Sequence, residues 1–256
     1  MSHRDTPWPA GTPCWVDIAV PDVAAATAFY GDVLGWSFVD TGEEFGHYHI
    51  ARTHDRAAAA IGPVMEEGQP SVWTAYLATD DADGTAKLIT DNGGALMFDP
   101  MDIPGNGRMA IAVDPTGAAF GIWQANGMNG FEIANEPGSV TWNDARLRDV
   151  EAGKAFYTAV FGYTYEPVPG APDGYATIQA SGQQVAGITG APPDVASHWL
   201  TYFSVADVDA SIATAARSGA TVLMPGEDTD FGRMGILTDP FGATFAVHKA
   251  PEGWSS

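Results

Sequence analysis

Apolar and polar residues alternate from Trp15 to Val20, placing Val16, Ile18 and Val20 on one face of a strand and Trp15, Asp17 and Ala19 on the other. Asp22 then stands where a helix cap belongs. Val23, Ala26, Tyr30, Val33 and Leu34 follow it at i, i+3, i+7, i+10 and i+11, a single helical stripe. Turn signals such as Asp40-Thr41-Gly42, Asn92-Gly93-Gly94 and Asp114-Pro115-Thr116-Gly117 cut the remainder into short runs, predicting three further strands after each helix. The strand, Asp and helix start occurs four times, at Trp15, Trp73, Trp142 and Trp199. The pattern therefore predicts an α+β chain of four βαβββ modules. Helices cover one face of each sheet and leave the other free to curve around a cavity.

The modules group in pairs. Trp15, Asp17, Asp22 and Phe29-Tyr30 return 127 residues later as Trp142, Asp144, Asp149 and Phe156-Tyr157. Trp73 to Tyr76 return as Trp199 to Tyr202, and Gly107-Arg108-Met109 through Ala118 return as Gly232-Arg233-Met234 through Ala243. Many matches in constant order, with the offset drifting only from 127 to 125, mark a duplication. The reading is one domain over residues 10–126, a Gly- and Asn-containing linker over 127–138, and a second domain over 139–250.

Composition narrows the function. Thirty-two acidic residues face 11 basic ones, a formal net charge of −21, so nucleic acid and anionic membrane surfaces are excluded as expected partners. Cys14 is the sole cysteine, so neither an internal disulfide nor a thiolate zinc cluster can form. The first dozen residues lack the apolar core of a signal peptide and no run of apolar residues is long enough to span a bilayer, so a cytoplasmic location is expected.

The strand, Asp, helix with Phe-Tyr and Leu-Gly-Trp (Trp15 to Trp36), closed by Asp-Pro-x-Gly-Ala at 114–118 and repeated in the second half, resembles the glyoxalase/bleomycin resistance protein/dioxygenase, or vicinal oxygen chelate, superfamily. More narrowly, GTPCWVDIAVPDVAAATAFYGDVLGW, GRMAIAVDPTGAAFGIWQAN and HWLTYFSVADVDA are similar to the actinobacterial two-domain glyoxalase-like antigen group. The resemblance implies paired βαβββ modules around a U-shaped cavity in each domain. It also implies that the two domains pair within one chain, so a monomer is expected, or a homodimer.

Metal-dependent members of the superfamily carry His or Glu on the first strand of each module and a Glu after the Asp-Pro-x-Gly turn. Counted from Asp22, Asp81, Asp149, Asp207, Asp114 and Asp239, those positions hold Trp15, Thr74, Trp142, Leu200, Gly121 and Ala246. None is a good donor, so no metal and no other cofactor is expected. Strand alternation puts Trp15, Asp17, Thr74 and Tyr76 on the first cavity wall. A hairpin pairing Ala110 with Gly121 and Arg108 with Trp123 adds Arg108 and Trp123. The second wall comprises Trp142, Asp144, Arg146, His198, Leu200, Tyr202, Arg233 and His248. Aromatic walls with a few polar groups suit a small organic, flat ligand.

Each residue also has a purely structural explanation. Asp17 with Arg108, and Asp144 with Arg233, form either buried ion pairs or ligand contacts. His198 and His248, with Asp144, are either acid–base groups or hydrogen-bonded core histidines. Two functions of different class follow. One is metal-free binding of an aromatic metabolite or antibiotic, as in resistance proteins. The other is a metal-independent isomerase, cyclase or lyase of secondary metabolism. A metal-dependent glyoxalase or dioxygenase would need unusual ligands.

Overall fold

The computed structural model describes residues 3–171 and 174–251. The first module is β1 (Pro13–Val20), α1 (Val23–Leu34), β2 (Ser37–Asp40), β3 (His49–Thr53) and β4 (Arg56–Pro63). The second is β5 (Trp73–Ala78), α2 (Ala82–Asp91), β6 (Ala95–Ile103), β7 (Gly107–Val113) and β8 (Ala119–Ala125). The third is β9 (Val140–Leu147), α3 (Val150–Phe161), β10 (Thr164–Pro167), β11 (Ala176–Ala180) and β12 (Gln183–Gly190). The fourth is β13 (His198–Ser204), α4 (Val208–Arg217), β14 (Thr221–Thr229), β15 (Gly232–Thr238) and β16 (Thr244–Lys249).

Two eight-stranded sheets result, ordered β2-β3-β4-β1-β5-β8-β7-β6 and β10-β11-β12-β9-β13-β16-β15-β14. In each, the first strands of the two modules meet antiparallel at the centre, as Asp17 opposite Thr74 and Asp144 opposite Leu200 show. The four predicted helix starts are capped as expected: Asp22, Asp81, Asp149 and Asp207 accept the backbone N–H groups of Ala25, Gly84, Ala152 and Ala210. Gly35 and Gly162 close α1 and α3 in the left-handed conformation that only glycine adopts without penalty.

The helices lie between the two sheets and knit them into one core. The Tyr30 ring of α1 sits 5.6 Å from Phe245 of the second sheet, and the Tyr157 ring of α3 sits 5.6 Å from Phe120 of the first. Trp73 and Trp199 point to this helix side, donating Nε1–H to the Tyr30 and Tyr157 hydroxyls. Those hydroxyls cross between the halves to the buried turn carboxylates, Tyr30 to Asp239 at 2.7 Å and Tyr157 to Asp114 at 3.0 Å. Burial raises the Asp239 pKa, and the Tyr30 donor opposes that rise. Tyr30→Phe, which leaves one Asp239 oxygen buried without its donor, is expected to cost about 1.5–3 kcal/mol. Urea denaturation followed by circular dichroism measures the loss.

With the helices sandwiched inside, the opposite, concave faces point away from the shared core. The register of the β7–β8 hairpin decides which residues reach that face. The five-residue turn closes with the Asp114 N–H on the Ala118 carbonyl, and Gly117 sits at φ +100°. Met109 therefore faces Trp123 and Arg108 faces Gln124, one residue away from the expected pairing of Ala110 with Gly121 and Arg108 with Trp123. A one-residue shift flips every side chain of the strand. Arg108 accordingly leaves the cavity wall for the helix side, where it holds Asp83 of α2 at 2.9 Å and Asp102 at 2.8 Å. Arg233, opposite Lys249, does the same with Asp209 and Asp228. Neither arginine pairs with Asp17 or Asp144.

Candidate functional site

Each concave face centres on a carboxylate held by aromatic donors. In the first sheet, Asp17 Oδ2 accepts from the hydroxyls of Tyr48 at 2.8 Å and Tyr76 at 3.0 Å, and Trp15 Nε1–H donates to Tyr48. In the second, Asp144 Oδ1 accepts from Trp142 Nε1 at 3.0 Å and the Tyr175 hydroxyl at 3.1 Å. Its Oδ2 accepts from the Tyr202 hydroxyl at 2.7 Å. Burial among rings pushes the Asp17 pKa up to about 6 and raises that of Asp144, while the tyrosine donors, and for Asp144 the Arg146 charge, oppose the rise. Burial, reinforced by proximity to these carboxylates, holds Tyr48, Tyr76 and Tyr202 well above the usual phenol range, so all three remain protonated donors.

Tyr48 and Tyr175 complete the two centres and were not among the expected site residues. They stand 127 residues apart, the offset that relates Trp15 to Trp142, so extending the self-comparison would have found them. Gly187, by contrast, carries no evident sequence signal. A Cβ there would lie 2.1 Å from Asp144 Oδ1 and 2.4 Å from the Tyr175 hydroxyl, so the network fills the space a side chain would need.

The two centres differ in what covers them. Over the first, the linker folds back: Phe131 N–H donates to the Cys14 carbonyl, Glu132 pairs with Ala57, and the Phe131 ring lies 5.7 Å from Trp15. Trp15 is left 4% exposed and Phe131 2%. Trp123, on the same face, gives Nε1–H to the Met128 carbonyl of that linker. Asp17 and Thr74 stay partly exposed at the other end of the face. In the second sheet Trp142 is half-buried, and with Met234 and Ile236 it rims a small apolar floor of Leu200, Tyr202 and Ala246 that is separate from the main core.

The second face also gains polar groups. Arg146 stands where the first sheet has Ala19, and His198 where it has Val72. Arg146 Nη2 donates to the Tyr202 hydroxyl at 2.7 Å, and His198 is the cross-strand partner of Arg146. His198 Nδ1 lies 2.8 Å from the Ala196 carbonyl, which can only accept; Nδ1 therefore carries the proton and Nε2 the lone pair of the neutral ring. Burial, reinforced by the Arg146 charge, lowers the His198 pKa. His248 instead directs Nε2–H at the Phe231 carbonyl, tying down the β14–β15 hairpin, and its pKa is also lowered by burial.

The family resemblance has independent support. The model of the glyoxalase/bleomycin resistance protein/dioxygenase superfamily matches residues 14–122, and that of a glyoxalase-like domain matches residues 141–248. The chain belongs to this superfamily. A relative named "Putative glyoxylase CFP32", from Mycobacterium tuberculosis, is 39% identical over 94% of this chain and 96% of its own length. "Anthracycline biosynthesis protein DnrV" of Streptomyces peucetius is 36% identical over 95% of each chain. The Mn(II)-bound glyoxalase from Novosphingobium aromaticivorans superposes with a TM-score of 0.65 over 97% of this chain and 83% of its own, at 17% identity, a likeness of fold.

The metal that this solved glyoxalase carries does not fit the residues present here. The positions where superfamily ligands belong line the concave faces, but they hold Trp15, Thr74 and Gly121 in the first sheet and Trp142, Leu200 and Ala246 in the second. A Cβ on Gly121 would lie 2.1 Å from the Tyr76 ring, so that ring occupies the space a ligating side chain would need. Leu200 and Ala246 form part of the apolar floor. Among the described residues no group of three or more His, Cys, Asp or Glu side chains is disposed to hold a metal ion. No helix among them is long and apolar enough to cross a membrane.

Proposed function

We propose that the chain binds a planar aromatic small molecule, without a metal ion, on the concave face of its second half. We take residues 10–126 and 139–250 as the two domains, the first serving chiefly as a structural partner. The observation that carries this reading is the contrast between the equivalent tryptophans. Trp15 is covered by Phe131, while Trp142 remains half-buried above an apolar floor. The Phe131 ring packed on Trp15 supports a flat aromatic ring as the occupant of the equivalent open face. The 36% identity to a protein named for anthracycline biosynthesis favours a polycyclic aromatic as the ligand class.

Titration with 1,8-dihydroxyanthraquinone, followed by tryptophan fluorescence, is expected to saturate at one ligand per chain with or without EDTA. Trp142→Ala, which removes the stacking surface, is expected to weaken binding about tenfold or more. Absence of saturable binding, or dependence on a divalent metal, would overturn the proposal.

An enzymatic reading has one specific observation in its favour. The neutral His198 ring keeps an Nε2 lone pair on the same face as Asp144, the arrangement of a general base beside a carboxyl group. Conversion of a bound ligand that is lost in His198→Ala, with binding retained, would establish that reading in place of simple sequestration.

A further inference from the structure

Cations are scarce in this chain, 11 lysines and arginines in all, and five of them are committed to carboxylates among the described residues. Arg56, Lys87, Arg108, Lys154 and Arg233 each lie within 4 Å of a carboxylate. Arg146 has no such partner among the described residues, although Asp144 is two residues away on the same strand face. The Asp144 oxygens are already occupied by Trp142, Tyr175 and Tyr202. Among the described residues Arg146 reaches this network only through Nη2 and the Tyr202 hydroxyl, and its buried Nε has no hydrogen-bond partner. A buried guanidinium N–H left without an acceptor calls for explanation, and an absent ligand oxygen supplies one.

Comparison of the two halves strengthens the case. The carboxylate, its two tyrosines and the tryptophan occur in both, so Asp17 is held without any cation at position 19. Arg146 is therefore not required to build the network. It is an addition found where the concave face is open, beside an uncharged His198 that does not compete with it for an anion.

We propose that Arg146 receives an ionised oxygen of the ligand, so that the second site takes planar aromatic acids in preference to neutral polycycles. This inference rests on the aromatic-binding reading above and names its ligand class. The surrounding charge of −21 repels anions, so such selectivity has to come from a local cation, and a guanidinium with unspent donors matches a carboxylate in charge and in planar geometry.

The test compares anthraquinone-2-carboxylate with anthraquinone-2-carboxamide, equal in ring surface and different in charge. By calorimetry the unsubstituted protein is expected to bind the carboxylate about tenfold or more tightly than the amide. In Arg146→Ala, which copies the alanine of the first half, the ratio is expected to fall to about one, and in Arg146→Lys to an intermediate value, since charge is kept and the planar fork lost. Equal affinity for both ligands in the unsubstituted protein, or a preference that survives in Arg146→Ala, overturns this inference alone. Failure of both ligands to bind overturns the aromatic-binding reading and this inference with it.

Discussion

Phe131→Ala is expected to destabilise the protein by about 3–5 kcal/mol, the cost of emptying a core aromatic site, although residue 131 lies in a connection without helix or strand. The ring is 2% exposed and packs 5.7 Å from Trp15 and 6.1 Å from Trp8. The backbone around it is pinned independently, by Phe131 N–H on Cys14 and by the reciprocal bonds between Glu132 and Ala57. The linker therefore cannot simply slide to refill the space, and the variant should retain a void shaped for one ring. Urea denaturation at constant m-value measures the loss. Indole, which restores a ring to the void, should raise the melting temperature of Phe131→Ala and leave that of the unsubstituted protein unchanged. A loss below about 1 kcal/mol would show that Phe131 behaves as a surface residue and that the first concave face is open.

This role for Phe131 was hidden because a Gly- and Asn-containing stretch between two repeats reads as a tether, and nothing local in Gly130-Phe131-Glu132 says that the ring turns inward. Local features were legible. The capping aspartates and the Val16, Ile18 and Val20 face depend on residues within a few positions of one another, and all lie as the pattern requires. Register was not legible in the same way. Asp-Pro-Thr-Gly fits both a four-residue turn and a five-residue turn, and the single residue between them decides whether Arg108 and Arg233 face the cavity or the helices. Asp102 and Asp228 lie on the strand before each arginine, but Asp83 and Asp209, which complete the pairs, are 25 and 24 residues away, so only the folded sheet shows which alternative the charges favour. Of the expected second wall, the fold brings Trp142, Asp144, Arg146, Leu200 and Tyr202 together, with His198 beside Arg146, and sends Arg233 away. His248 reaches the same face opposite Met234 but spends its Nε2 on the loop.

Asp17→Asn is expected to remove a pH dependence of stability that runs opposite to ordinary acid denaturation. The folded-state pKa of Asp17 is raised to about 6, whereas an unfolded aspartate titrates near about 3.9. A raised folded pKa means that the folded protein holds the proton more tightly. The contribution is therefore fully present below about pH 4 and is lost as pH rises through about 6. Because Asp17 is partly exposed, the change is on the order of 2 kcal/mol rather than the full value of the shift. Denaturation of the two proteins at matched pH isolates this group: Asp17→Asn should gain on the unsubstituted protein between pH 4 and 7 by about that amount and hold the gain above it. A difference that stays flat across this interval would show that Asp17 is ionised at ordinary cost, and that its two tyrosine donors fully offset its burial. In the second half Arg146 adds a charge that favours the ionised carboxylate. Arg146→Ala should therefore move Asp144 toward the protonated state. The cation at position 146 then has two separable effects, on the titration of the carboxyl group beside it and on the charge of the ligand that the face accepts.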